Sequence, residues 1–160
     1  GDHESLSHPP NGIVVEDMRV LLGRRAHAPW YGLGGSPGGF CELGEDPRET
    51  VVREVLEETG LEARVGKLIG VDSRVMVREE VPEDKDPELH TIRIVYRATV
   101  KDGPLQHEIG GSSDEARWVP IRDIRALRTL SLVQTGLRMA GINRRQPGKP
   151  GAKQSGKPRK

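Results

Sequence analysis

Three glutamates stand at positions i, i+3 and i+4 of one stretch of the chain: Glu54, Glu57 and Glu58. On a helix, this spacing gathers the three carboxylates within an arc of about 100°. Like charges so placed destabilise a helix by roughly a few tenths of a kcal/mol per pair, which indicates a compensating cation. Clustered carboxylates suit a hard divalent ion such as Mg²⁺ or Mn²⁺, which commonly also binds substrate phosphates. The spacing alone makes a metal site a candidate, and a solvated acidic face is the alternative.

The stretch that carries these glutamates is predicted to be a helix with well-defined ends. Asp46 is a good N-cap, Pro47 suits the first helical position, and Glu49 completes a capping box. Gly60 provides the C-terminal stop. Four apolar residues are expected to form the buried face of the helix, opposite the carboxylates: Val51, Val52, Val55 and Leu56.

The rest of the chain reads as strands, loops and two further helices. Residues 26–46 are rich in glycine and proline and predict a long, shaped loop of the kind that is usually functional. Strands are predicted at 13–15 and 18–23 as a hairpin around Glu16-Asp17, and at 63–77, 91–100 and 116–119, with a bulge at Gly70. Helices are predicted at 123–127 and 131–140, and loops at 81–87 and 106–114. This order predicts an α+β or α/β protein with a mixed sheet.

The residues around the three glutamates follow a defined pattern. Gly39 is followed by five residues, Glu45, seven residues and then the run Arg53-Glu54-Val55-Leu56-Glu57-Glu58-Thr59-Gly60-Leu61. This is similar at every defined position to the Nudix box, G-x5-E-x7-R-E-U-x-E-E-x-G-U, in which U is aliphatic. Over roughly residues 12–142, the chain therefore resembles the Nudix hydrolase family.

The resemblance implies a fold and an activity. The implied fold is an α+β (α/β/α) sandwich with a mixed β-sheet between helices. The implied activity is hydrolysis of a phosphoanhydride bond in a nucleoside diphosphate linked to another group, with Mg²⁺ or Mn²⁺ as cofactor. Nucleoside triphosphates, ADP-ribose-like compounds and nucleotide sugars remain open as substrates. The alternative is a non-catalytic Nudix-fold module that binds or senses a nucleotide, and family relatives are often homodimers.

The resemblance also carries roles over to residues of this sequence. Metal ligands would be the Gly39 carbonyl and three carboxylates, those of Glu54, Glu57 and Glu58, with Glu54 alternatively the general base. Arg53 and Glu45 are expected to pair and to hold the loop against the helix. The family often recruits a further carboxylate from a later loop, for which Glu108, Asp114 and Glu115 are candidates. Glu108 is favoured because Gly110-Gly111 would let its loop fold inward. The predicted catalytic set is Glu54, Glu57, Arg53 and Glu108.

Substrate contacts are predicted in the residues that precede the box. Arg24 and Arg25 are candidates for phosphate binding, and Trp30 and Tyr31 for stacking on a nucleobase. The alternatives are solvated arginines and aromatic rings that pack within the loop. About three more residues precede Pro37 than in the common family pattern. The proline typical of ADP-ribose-type members and the motifs of the NADH and coenzyme A types are not found.

Composition and charge exclude several other classes of protein. Only 3% of the 160 residues are aromatic, so the core is expected to consist of Val, Leu, Ile and Ala. The sequence contains no run of eighteen apolar residues, so no membrane span is predicted. The single cysteine, Cys41, excludes an intrachain disulfide and a cysteine-based zinc cluster, and is typical of a cytoplasmic protein.

The charges divide the chain into three predicted segments. Residues 143–160 contain seven Lys or Arg and no acid, which leaves 18 basic and 24 acidic residues before them. We expect a flexible leader at 1–11, a Nudix hydrolase domain at 12–142 and a disordered basic tail at 143–160. The tail would contact nucleic acid only weakly. A small-molecule nucleotide is the expected partner.

Overall fold

The computed structural model describes residues 6–25, 34–76, 89–106, 113–127, 129 and 131–142. The described residues form seven strands, two α-helices and one 3-10 helix. In chain order, the elements are β1 (Leu6–Ser7), β2 (Pro10–Glu16), β3 (Arg19–Arg25), β4 (Gly34–Gly35), α1 (Pro47–Thr59), β5 (Ala63–Met76), β6 (Leu89–Val100), β7 (Ser113–Pro120), the 3-10 helix (Ile121–Ala126) and α2 (Ser131–Met139).

The strands form a mixed sheet with the order β1-β6-β2-β3-β4. β1 and β2 run parallel to β6, and β5 pairs with β6 antiparallel. β3 pairs antiparallel with β2, β4 and β7. The predicted hairpin is confirmed, although its turn lies at Asp17 and Met18, which both have positive φ, one residue later than expected. The predicted bulge is also confirmed, since the β5–β6 register shifts between Leu68 and Gly70.

The sheet carries a hydrophobic core on each face, because neighbouring residues of a strand point to opposite sides. On β2, Ile13 belongs to the core that packs against α2 and the 3-10 helix, and Val14 to the core beneath α1. Val95 and Tyr96 of β6 divide between the two cores in the same way. Helices therefore cover both faces, and the predicted α+β sandwich is confirmed.

β6 is covered on both faces, so its polar residues do not all face solvent. Arg93 is buried and donates from Nε to Asp72 Oδ2 of β5 at 2.8 Å. Its Nη1 donates to Ser131 Oγ, at the start of α2, at 2.9 Å. Arg93 therefore connects two strands and a helix from within the sheet.

Strand pairing begins before the predicted domain boundary at residue 12. Leu6–Ser7 and Pro10–Asn11, which the sequence assigned to a leader, pair with β6. The predicted tail at 143–160 and the predicted loop at 81–87 lie outside the described residues. In the part of the chain that the structure describes, neither helix has the length and apolar character of a membrane span.

Candidate functional site

Helix α1 begins and ends at the residues that the sequence predicts. The Asp46 side chain accepts a hydrogen bond from the Arg48 N–H at 2.8 Å, and Glu49 Oε1 accepts one from the Asp46 N–H at 2.9 Å. Gly60 closes the helix in the left-handed conformation, with φ at 80°. The directions of the side chains on α1 are therefore defined by local chemistry at both ends.

The predicted buried face of α1 is wrong in half of its members. Val51 and Val55 are fully buried, whereas Val52 and Leu56 are 38% and 50% exposed. The buried side includes three polar residues instead: Thr50, Glu58 and Thr59. The acidic arc therefore adjoins the buried side of the helix and does not lie opposite to it.

The three glutamates of this arc differ in their burial. The Glu57 side chain is 46% exposed and that of Glu54 is 14% exposed, while Glu58 is 1% exposed as a residue. The exposure of the three carboxylates therefore decreases from Glu57 through Glu54 to Glu58. A charged carboxylate at the depth of Glu58 is stable only when it is paired, hydrogen-bonded or coordinated.

Arg53 joins the helix to the loop that precedes it. Its Nε donates to Glu45 Oε2 at 2.8 Å and its Nη2 to Glu45 Oε1 at 2.9 Å, which makes a bidentate pair. Nη2 also donates to the Phe40 carbonyl at 3.0 Å. The pairing of Arg53 with Glu45 is therefore present as expected, and it ties α1 to the residues that follow Gly39.

The remaining terminal nitrogen of Arg53 lies between two of the predicted metal ligands. Nη1 donates to Glu54 Oε2 at 2.9 Å and to Glu57 Oε1 at 3.3 Å. Within the described residues, no group of three or more His, Cys, Asp or Glu side chains converges closely enough to hold a metal ion. The carboxylate oxygens fit a hard divalent ion in their chemistry, but two of them are turned towards a guanidinium.

Strand β2 positions Gly39 at this end of the helix. The Gly39 N–H donates to the Pro10 carbonyl at 3.3 Å, and the Gly12 N–H donates to the Pro37 carbonyl at 2.9 Å. A Cβ on Gly39 would lie 2.6 Å from Glu54 Oε2, so glycine alone permits this approach. A side chain at position 39 would press against the Glu54 carboxylate, and the carboxylate and carbonyl oxygens gathered here suit a hard cation in their chemistry.

Sequence reasoning missed two residues around the Arg53–Glu45 pair. The fully buried Thr50 donates from its hydroxyl to Glu45 Oε1 at 2.7 Å. Glu42 Oε2 lies 3.9 Å from Arg53 Nε. The sequence did carry a signal for Thr50, which stands three residues before Arg53 and four before Glu54 on one helix face. Nothing in the loop marks Glu42.

Hydrogen bonds to the Glu45 carboxylate stabilise its charged form. The side chain of Arg53 contributes most, followed by the backbone N–H of Glu42 and the hydroxyl of Thr50, and together they lower the pKa of Glu45 from 4.5 to about 2. The hydrogen bonds to Glu45 also raise the pKa of Arg53 above its usual value. Both partners are therefore ionised at neutral pH.

We expect Glu45→Gln to remove a pH-dependent part of the free energy of unfolding. Because folding lowers the pKa of Glu45, its stabilising contribution is complete above about pH 4.5 and is lost as the pH falls towards 2. Chemical denaturation at a series of pH values should show the difference between wild type and variant shrinking over this interval. Glu62→Gln, at an exposed pair with Lys101, is the control. A difference for Glu45→Gln that stays constant down to pH 2 would contradict the expectation.

Arg24 and Arg25, the two phosphate candidates, have different surroundings. Arg25 Nη2 donates to the Ser36 carbonyl at 3.2 Å, and a Cβ on Gly35 would lie 2.6 Å from the same nitrogen. Arg24 pairs with Glu115 at 3.7 Å. Arg25 thus supports the glycine-rich segment that leads to Gly39, and both arginines stay predicted phosphate ligands.

Arg24 lines a shallow, open cleft at the end of β3. Arg117 and Thr129 line it as well, with Leu22 and Leu127 as apolar neighbours. Sequence reasoning missed Arg117 because only the pairing of β3 with β7, which sets it opposite Leu22, brings it here. Two guanidinium groups and a hydroxyl suit an anionic ligand.

The other predicted site residues fall either outside the described residues or on strand β7. Trp30, Tyr31 and Glu108 lie outside the described residues. Asp114 belongs to the first residues of β7. Glu115, an alternative to Glu108, faces Arg24 at the cleft.

Known proteins similar to this chain share one family description. A family model described as NUDIX domain matches residues 7–135. An ADP-ribose pyrophosphatase from Methanocaldococcus jannaschii is 38% identical over 114 residues, which cover 71% of this chain and 62% of that protein. The mitochondrial NAD(P)H pyrophosphatase NUDT13 of Mus musculus is 31% identical over 135 residues, which cover 84% of this chain and 33% of that protein. The chain thus spans less than two thirds of the length of either relative.

A solved structure shares the fold. The crystal structure of a MutT NUDIX hydrolase from Burkholderia pseudomallei superposes with a TM-score of 0.69 at 23% identity, and the match covers 85% of this chain and 98% of that one. The mixed sheet with helices on both faces is therefore the architecture of that structure too.

Proposed function

The chain belongs to the NUDIX domain family, and from this premise we propose that it hydrolyses a phosphoanhydride bond in a nucleoside diphosphate linked to another group. One observation carries the proposal: Gly39, the Arg53–Glu45 pair and the carboxylates of Glu54 and Glu57 are assembled along one side of α1. A fold that only bound nucleotides would not need a graded set of carboxylates there.

An ADP-ribose-like compound is the favoured substrate. The similarity to the Methanocaldococcus jannaschii ADP-ribose pyrophosphatase supports this choice. The similarity to an NAD(P)H pyrophosphatase supports the broader class, because both names describe cleavage of a diphosphate that links a nucleoside to another group. The cleft beside Arg24 and Arg117 lies on the face of the sheet that carries Leu22 and α2, away from the carboxylates of α1, so it does not enter this choice.

A divalent ion, Mg²⁺ or Mn²⁺, is proposed as the cofactor. The residues that would hold it are Glu54, Glu57 and Glu58, with the carbonyl of Gly39. When bound, it would neutralise the diphosphate and promote attack by water. These assignments, and the choice of Glu54 as a ligand or as the general base, remain predictions.

The chain's own residues have separable tasks in this proposal. Arg53, held by Glu45, keeps the loop that carries Gly39 against α1. Glu54, which is largely buried, presents an oxygen that can accept a proton near the substrate. Phosphate binding by Arg24 or Arg25 stays a prediction. Stacking by Trp30 or Tyr31, and help from Glu108, stay predictions.

A substrate screen tests the proposal. We expect the purified chain with Mg²⁺ to release phosphorylated products from ADP-ribose faster than from nucleoside triphosphates, nucleotide sugars or dinucleoside polyphosphates. Addition of EDTA should abolish the activity, and Mg²⁺ should restore it. Tight binding of ADP-ribose without turnover would contradict the proposal and favour a nucleotide-binding module. Homodimer formation and a cytoplasmic location also stay predictions.

A further inference from the structure

The guanidinium of Arg53 presents two chemically different edges. The edge formed by Nε and Nη2 makes the bidentate pair with Glu45, at 2.8 Å and 2.9 Å. The other nitrogen, Nη1, donates to Glu54 at 2.9 Å and to Glu57 at 3.3 Å. One side chain therefore spans the loop carboxylate and the two predicted metal ligands.

The two edges are held with different strength. The Glu45 side chain is 13% exposed and accepts two parallel hydrogen bonds from Arg53, with a further one from Thr50. The partners of Nη1 accept one bond each: Glu54, which is 14% exposed, at 2.9 Å, and Glu57, which is 46% exposed, at 3.3 Å. A bidentate pair is stronger than such single bonds, and the contact with the exposed Glu57 is the weakest of them.

The charges around Arg53 are unbalanced. Four carboxylates lie within 4.0 Å of its guanidinium, namely those of Glu42, Glu45, Glu54 and Glu57. A single positive charge is too little for this cluster, so a further cation would be attracted to it. The oxygens that such a cation needs are the ones that Nη1 contacts.

We propose that Nη1 of Arg53 is an internal counter-cation for Glu54 and Glu57, and that it yields them to a divalent ion while the opposite edge stays on Glu45. Arg53 is then a positioning residue with an exchangeable contact, and it sets how tightly the metal binds. This inference rests on the proposed function, because it requires a divalent ion at these carboxylates.

The first test observes Arg53 in the unaltered chain. With ¹⁵N-labelled arginine, we expect saturating Mg²⁺ to shift the Nη signals of Arg53 and to speed their exchange with water, while its Nε–H stays protected. Arg93, whose guanidinium is held by Asp72 and Ser131, is the internal control and should not change. Nη protons that stay as protected with Mg²⁺ as without it would overturn the proposal.

The second test measures Mn²⁺ affinity by calorimetry and by the electron paramagnetic resonance of free Mn²⁺. Arg53→Lys keeps the charge, but one ammonium cannot span both groups of carboxylates. Loss of the competing contact should tighten Mn²⁺ binding about three- to tenfold. The matched change Arg64→Lys, at an exposed site on β5, should leave the affinity unchanged. Glu45→Gln, which loosens the same loop but keeps the Nη1 contacts, measures the effect of loop movement alone. Mn²⁺ binding by Arg53→Lys that is no tighter than that of Glu45→Gln would overturn the proposal.

Two further outcomes separate this inference from the proposed function. If Mn²⁺ binds and ADP-ribose is hydrolysed while the Arg53 signals and the affinity of Arg53→Lys do not change, only the inference fails. If no Mn²⁺ binds to the wild-type chain, both the inference and the metal requirement of the proposed function fail.

Discussion

We expect Glu57→Gln to lower kcat for the proposed substrate, ADP-ribose, by at least about 100-fold, because loss of even an outer-shell partner of a metal site costs about 10- to 100-fold. The substitution keeps the size and hydrogen-bonding length of the side chain but removes its charge. Because the Glu57 side chain is 46% exposed, the folded state loses little. We expect the melting temperature to change by less than about 4 °C.

The measurement pairs steady-state kinetics with a thermal melt of the same preparation. Glu62→Gln, which removes an exposed carboxylate away from α1, is the control and should keep wild-type turnover. Turnover of Glu57→Gln at the wild-type rate would remove Glu57 from the site. A large drop in melting temperature would instead assign it a structural role.

Gly39→Ala has the second large effect that we expect, a fall of about 100-fold in kcat. The new Cβ would lie 2.6 Å from Glu54 Oε2, so either the loop or the carboxylate must move. A displacement of about 1 Å at a reacting group costs about 100-fold in rate. Steady-state kinetics and Mg²⁺ titration of the variant measure the effect, and weaker Mg²⁺ binding should accompany it.

The control for Gly39→Ala is the same change at Gly103. A Cβ there would meet Leu61 at 3.5 Å, which is an ordinary contact, so Gly103→Ala should retain activity. If Gly39→Ala retains activity too, then the approach of Gly39 to Glu54 has no part in catalysis. A loss of activity in both variants would indicate general sensitivity of the loops.

The ends of α1 could be predicted from the sequence because their chemistry is local. Asp46, Pro47 and Glu49 act on backbone groups within a few residues of themselves, and Gly60 supplies a conformation that other residues adopt at a cost. The strands around the helix could be placed for a similar reason, since residue periodicity along β2 and β6 is visible without knowing their partners.

The burial of α1 and β6 could not be predicted in the same way. Val52 and Leu56 are as apolar as their buried neighbours, and the placement of the sheet alone leaves them exposed. Arg93 reads as a solvent-facing residue of an alternating strand until α2 is packed over that face. Tertiary contacts decide both cases, and no local signal distinguishes them.

The candidate site also has a part that the sequence predicts and a part that depends on tertiary contacts. The box pattern singled out Gly39, Glu45, Arg53 and the glutamates because these residues stand at fixed spacings along one loop and one helix. The contact of Arg53 with Glu54 and Glu57 depends on side-chain conformations that the pattern does not contain. Arg117 reaches the cleft through the pairing of β3 with β7, a long-range event.

Strand β2 positions the glycine-rich loop, so the box residues alone are not expected to form the same site in another protein. The carbonyl of Pro10 accepts the N–H of Gly39, and Gly12 donates to the carbonyl of Pro37, so the loop takes its position from residues far upstream in the chain. Grafting the segment from Gly39 to Leu61 onto another scaffold would transfer the carboxylates without strand β2, which positions the loop beside them. Trimming the amino terminus back to residue 12 would remove the Pro10 carbonyl, and with it the bond to Gly39, and would keep only the bond from Gly12 to Pro37.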